Sequence, residues 1–134
     1  MDSNLLLLSA RKGLDVFNGV ESLALRRVRF LTTPQVVSEL RRLSSKRGSR
    51  IGREAELALH LAGRCVMVEP EAEAGDDADA SLLWAARKYS AAVATADSGL
   101  RRRLRMSRIP VISLRGGRLY CEPESPELWF SGRA

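Results

Sequence analysis

Three short apolar runs constrain this chain most: Cys65 to Val68, Ala92 to Thr95 and Pro110 to Leu114. They are too short for buried helices, and Cys-Val-Met-Val in the first shows no polar alternation, so it reads as a strand covered on both faces. Ala92 to Thr95 is a second buried strand, and Val28 to Leu31 is a further short strand. Helical signals lie between these runs. Gly13 to Arg27 places Leu14, Phe17, Val20, Leu23 and Leu25 near helical spacing. Thr33-Pro34 puts an N-cap residue before a proline at the first helical position, and that helix should turn Val36, Val37, Leu40 and Leu43 inward and stop at Gly48. Ile51 to Gly63 predicts a helix presenting Leu57, Ala58, Leu61 and Ala62. Helices are also expected from about Asp77 to Tyr89, and from a cap at Asp97 or Ser98 to Met106. Arg115-Gly116-Gly117-Arg118 predicts a tight turn into a last strand, Leu119 to Cys121. Strands alternating with helices imply an α/β protein, a three-layer α/β/α sandwich with a mainly parallel central sheet.

At 134 residues the chain suits one domain, which should bury roughly two-thirds of the surface its unfolded chain exposes. The domain is assigned to residues 1–122, and 123–134 to a tail whose Trp129 and Phe130 dock on the domain or on a partner. No apolar run approaches the roughly 18 residues of a membrane span, because Leu5 to Leu8 leads into Ser9, Arg11 and Lys12. Asp2 stands where a secretory signal carries positive charge. Cys65 and Cys121, unclustered, suit a reduced cytoplasmic protein.

The net charge of +6 invites a nucleic-acid reading, and its distribution refines that reading. Residues 1–68 and 81–134 each carry a surplus of six positive charges, whereas Glu69 to Ala80 carries six acids and no base. The cations are 19 Arg against 3 Lys, and the arginine fork suits phosphate oxygens. A GC-rich genome, which supplies arginine codons, would give the same bias.

In a parallel α/β sheet, ligands gather at the carboxyl ends of the strands. Asp2 could close a very short first strand, Asp97 directly follows the strand ending at Thr95, Asp79 opens a helix, and Glu39 lies about one turn inside the helix begun by Thr33. Singly, Asp79 and Asp97 are ordinary helix N-terminal acids and Glu39 a solvated helix residue. Together, four carboxylates from separated parts of the chain are expected to meet at one end of the sheet. An oxygen-only cluster needs a hard counter-ion, for which Mg2+ or Mn2+ is the natural choice.

The same residues carry a family resemblance. Asp2-Ser3-Asn4 resembles the opening of PIN domains, which are metal-dependent ribonucleases. Val37-Ser38-Glu39-Leu40, Asp79-Ala80-Ser81-Leu82 and Val93-Ala94-Thr95-Ala96-Asp97 resemble the later acidic blocks, in order, and Ile109-Pro110-Val111-Ile112 the strand that follows. The likeness is greatest to small archaeal single-domain members and to PIN nucleases of ribosomal RNA processing. It implies that Asp2, Glu39, Asp79 and Asp97 are metal ligands and catalytic residues, with Asn4 and Thr95 orienting them by hydrogen bonds. Two departures from the family pattern stand out. Only Met1 precedes Asp2, and Gly99 stands where many members carry another acid.

Other chemistries lack their residues. His60 is the one histidine, which excludes histidine-pair ribonuclease chemistry and the H-E-x-x-H metalloprotease pattern. The cysteines lack zinc spacing, and no P-loop or G-x-S-x-G occurs. Arg101, Arg102, Arg103 and Arg105, with Arg41 and Arg42, are expected to hold RNA, although four arginines in five helical positions cannot all face one way. The leading expectation is a Mg2+- or Mn2+-dependent endoribonuclease. Its rivals are a catalytically inert PIN module binding RNA or a ribosome-assembly partner, and a toxin of the VapC type with an antitoxin partner. The exposed tail aromatics also permit a homodimer.

Overall fold

A computed structural model describes residues 1–71 and 77–122. Six helices and five short strands follow in the order α1 (Ser3–Lys12), α2 (Val16–Ala24), β1 (Leu31–Thr32), α3 (Pro34–Ser44), α4 (Arg50–Ala62), β2 (Val66–Met67), α5 (Ala78–Tyr89), β3 (Val93–Thr95), α6 (Ser98–Met106), β4 (Val111–Arg115) and β5 (Arg118–Glu122). The proposed tail, with Trp129 and Phe130, lies outside the described residues, as do five residues before Asp77.

The helix starts are chemically explicit. Thr33 Oγ1 accepts the Val36 N–H, Ser49 Oγ accepts that of Gly52, Asp77 Oδ1 that of Ala80 and Asp97 Oδ1 that of Gly99. Each satisfies a donor that the first helical turn leaves unpaired. Gly116 and Gly117, at φ 58° and 78°, adopt the left-handed conformations that a tight β4–β5 hairpin demands.

Strand pairing is parallel between β1 and β2 and between β3 and β4, and antiparallel between β4 and β5. The α/β class is as expected, but in place of one mainly parallel central sheet the strands form a two-stranded parallel piece and a three-stranded mixed piece. Met1 and Asp2 lie between the pieces. The Met1 nitrogen donates to the Leu31 carbonyl at 3.0 Å, and the Asp2 N–H donates to the Ala94 carbonyl at 3.0 Å.

The core joins Leu5 and Leu6 of α1, Phe17 of α2, Val36 and Leu40 of α3 and Leu104 of α6. Fully buried Ala55 and Ala58 let α4 approach α1 and α3 closely, and α6 covers β3 and β4.

Three sequence expectations need correction. The run at Cys65–Val68 is not covered on both faces: Val66 and Met67 are 52% and 49% exposed, because β2 is an edge strand paired only with β1 among the described residues. In α4 the inward face is carried by alanines, and Leu57 is exposed. Leu25 is not part of the inward face of α2; it ends that helix in a left-handed conformation and points to solvent.

Candidate active site

Asp2 has an extended backbone at the N-cap of α1 and is 2% exposed. No strand is present at residues 1–2, where a very short first strand was expected; Asp2 instead precedes a helix that was not. Its Oδ2 accepts a 2.6 Å hydrogen bond from Thr95 Oγ1, at the end of β3. The same Thr95 oxygen accepts the Asp97 N–H at 3.0 Å. One hydroxyl therefore fixes two acids from opposite ends of the chain.

Glu39 and Asp79 are brought alongside by the helices that carry them. Buried Thr33 and Ser81 share a 2.7 Å hydroxyl contact, and since Ser81 donates to the Ala78 carbonyl, Thr33 is the donor to Ser81. This ties the start of α3 to the first turns of α5. Ser3 Oγ, on α1, donates to Glu39 Oε1 at 2.7 Å.

The electrostatics show that the acids share one environment. Burial holds the Asp2 carboxyl above the usual carboxylate range, opposed by the Thr95 hydrogen bond and the Met1 ammonium; the charges of Asp79 and Glu39 push it further up. Asp79 is also raised, first by burial and then by Asp97, while Arg103 opposes. Helices α1, α5 and α6 all start here, and their N-terminal dipoles partly offset the repulsion.

Among the described residues, no three acidic, histidine or cysteine side chains stand close enough to hold one ion in this arrangement. Asp97 Oδ1 is occupied as a helix cap, and Arg103 Nη1 stands 3.6 Å from Asp79 Oδ2. In composition the donor set still fits a hard divalent cation: it is oxygen only, and two of its carboxyls are already destabilised as anions. An ion at Asp79 would compete with Arg103 for its carboxylate.

Of the residues expected to orient the acids, Thr95 makes the contacts described and Asn4 is exposed, with no hydrogen bond to an acid among the described residues. Ser3 makes such a contact instead. Its place beside Asp2 was legible, but which of Ser3 and Asn4 faces inward depends on the helical turn that begins there.

The arginines divide. Arg101 and Arg105 both pair with Glu122 on β5, at 2.7 Å and 3.0 Å. Arg103 faces Asp79, and Arg102 is exposed. Arg42, exposed on α3, lines an open polar depression with Gln35, Ser38, Glu39 and Asp77, at the mouth of the acidic cluster. Arg41, also exposed, does not line it. His60 is at the surface of α4.

Comparison with known proteins agrees with this architecture. No curated protein sequence matches the chain. A solved structure titled as the PIN domain endonuclease Utp24 superposes with a TM-score of 0.73 at 22% identity, covering 90% of this chain and 87% of that one. The sequence model of the PIN-like domain matches residues 1–117. The chain belongs to the PIN-like domain family.

Proposed function

We propose that this protein is an endoribonuclease using Mg2+ or Mn2+, with Asp2, Asp79 and Asp97 holding the ion and Glu39 completing the site. The observation that carries this reading is the convergence of the four acids: each of Asp2 and Asp79 feels the charge of Glu39, Asp79 feels Asp97, and Thr95 joins Asp2 to Asp97. Unneutralised, such a cluster destabilises the fold, so its presence argues for a cationic ligand. The similar solved structure, titled as a PIN domain endonuclease, supports the same reading.

A bound divalent ion supplies an acidified water and neutralises charge on the phosphate being cut. The protein does the rest. Thr95 keeps the Asp2 carboxylate aimed into the site and fixes the backbone at Asp97. Ser3 holds Glu39 by Oε1, which leaves Oε2 to take the proton of the attacking water. Arg42, which lines the polar depression with Glu39, and the exposed Arg102 would hold the RNA backbone, whereas Arg101 and Arg105 pair with Glu122. No described helix is long and apolar enough to cross a membrane, in keeping with a substrate met in water.

The test is Mn2+-dependent cleavage of a labelled RNA by the wild type and by Asp79→Asn and Asp97→Asn, alongside Mn2+ titration calorimetry. Activity that survives both substitutions would remove this mechanism. A second reading, an RNA-binding module without catalysis, is favoured by the arginine on Asp79 and the absence of a ready three-acid cluster among the described residues. It predicts RNA binding with no carboxylate-dependent heat on Mn2+ addition.

A further inference from the structure

Residues 44–53 hold four cations, Lys46, Arg47, Arg50 and Arg53, and no acid. They form the turn from α3 into α4, and all four cations are exposed. The turn is compact. Ser49 donates to the Lys46 carbonyl through both its N–H and its Oγ, and the Arg53 guanidinium reaches the Gly48 carbonyl at 3.4 Å. Glycine at position 52 permits this fold-back, since a Cβ there would collide with the Lys46 carbonyl. The cations are thereby gathered at the start of α4.

A buried acid adds a fifth cation to the group. Glu54, in the first turns of α4, is 7% exposed and accepts from Arg11 Nε of α1 through both oxygens, at 3.1 Å and 3.2 Å. Arg50 Nε stands 3.4 Å from Oε1 of the same carboxylate. One acid therefore holds two guanidiniums by their Nε atoms, while their side chains stay 45% and 78% exposed. With Ile51 they line an open depression. The Nη groups of this pair make no hydrogen bond to the protein among the described residues, so two forks already held in place remain open to an anion. The site is remote from the four acids. Asp2 caps the start of α1 and Arg11 lies in its last turn, so roughly 14 Å of helix axis separates them. Arg42 lies between the two regions in the chain: it lines the depression beside Glu39 and stands one helical turn before Lys46.

We propose that the Arg11–Glu54–Arg50 group, with the Lys46–Arg53 turn, is a second RNA-backbone site that grips the strand away from the acidic cluster. At about 3.4 Å per stacked nucleotide, the two sites are at least roughly four nucleotides apart. RNA long enough to reach both is therefore held more tightly than a short fragment held at the acids alone. An acidic polypeptide also carries anions, but the continuity through Arg42 favours the ligand that the acidic site is read to take. The choice of RNA thus rests on that reading of the acidic site.

The experiment measures binding of a twelve-nucleotide and a three-nucleotide single-stranded RNA, in chelator and across a salt series. One variant, Arg11→Gln/Arg50→Gln/Glu54→Gln, removes the buried acid together with its partners and so leaves no unpaired charge inside. A second, Arg47→Gln/Arg53→Gln, leaves that acid untouched and covers the case in which the first does not fold. The charge control is Arg87→Gln/Lys88→Gln, at the end of α5 beside the end of α6. For the longer RNA, losing two phosphate contacts should lower the slope of log K against log salt by about 1.4 and weaken binding roughly 25-fold near 0.1 M salt. The three-nucleotide RNA and the control should show neither change. Wild-type binding in both cluster variants, or an equal loss in the control, would overturn the proposal. Polyglutamate bound as tightly as RNA would also overturn it, by assigning the cluster to an acidic protein. Because binding is read in chelator and cleavage separately with Mn2+, a failure of the nuclease reading shows as absent cleavage with the length-dependent binding loss intact.

Discussion

Replacing Thr95 by valine keeps the shape of a fully buried side chain and deletes one oxygen that makes two bonds. The lost donor to the buried Asp2 carboxylate is a hydrogen bond to a charged group, about 1.5–3 kcal/mol. The orphaned Asp97 N–H adds about 1 kcal/mol. Near pH 8 the loss should therefore be about 2.5–4 kcal/mol, a large share of a typical domain's stability of about 5–15 kcal/mol. The loss should also depend on pH. Asp2 has its pKa raised in the folded protein, so the folded state holds that proton more tightly than the unfolded chain does, and stability falls as pH rises from the ordinary carboxylate value through the raised one. Thr95 lowers the folded value. Its removal raises that value further and extends the destabilising window upward. The cost of Thr95→Val should thus shrink as pH falls and Asp2 takes up its proton, toward the roughly 0.5–1.5 kcal/mol of a neutral hydrogen bond. Urea denaturation followed by circular dichroism, in chelator, at pH 8 and again near the ordinary carboxylate pKa measures both losses, with Thr95→Ser as a control that retains the hydroxyl. An equal loss at both pH values would refute the argument, because it would reduce Thr95 to packing and capping.

Three further outcomes follow from the contacts. Arg103→Gln should raise Mn2+ affinity by about two- to fivefold in calorimetry, since the ion no longer displaces a half-exposed guanidinium worth up to about 1 kcal/mol; weaker binding would show that Arg103 supports the site. Thr33→Ala removes the α3 cap and the donor to Ser81, and should lower stability by about 1–3 kcal/mol in urea melts; a neutral result would show that α3 and α5 are held together elsewhere. Val66→Lys, placed in the run that reads as buried, should change stability by less than about 0.5 kcal/mol, and a loss of several kcal/mol would mean that β2 is covered in solution.

The sequence by itself determined the features whose causes lie within a few residues. Thr33-Pro34, Asp77 and Asp97 start helices because their side chains reach N–H groups two or three positions ahead, and Gly116-Gly117 turns a hairpin because glycine tolerates positive φ. The order of the four acids, the places of Asp79 and Asp97 at helix starts and that of Glu39 inside α3 were legible for the same reason. The apolar run Leu5 to Leu8 was silent on its own state: it has no period, and only packing of Leu5, Leu6 and Leu7 into the core shows that α1 already begins at Ser3. Tertiary structure alone decided what lies beside what. Val66 and Met67 form an apolar run, but their exposure follows from the edge position of β2, which no local pattern encodes. The arginines of α6 look alike in sequence, yet one faces Asp79 and two close on Glu122, because helical phase and the β5 hairpin set their partners. Thr95 bonds Asp2 across 93 positions of chain, a pairing that exists only once β3 lies beside the extended Met1-Asp2 segment. Short-range hydrogen bonding writes itself into sequence; the burial and charge environment of a site are set by neighbours that folding brings from elsewhere.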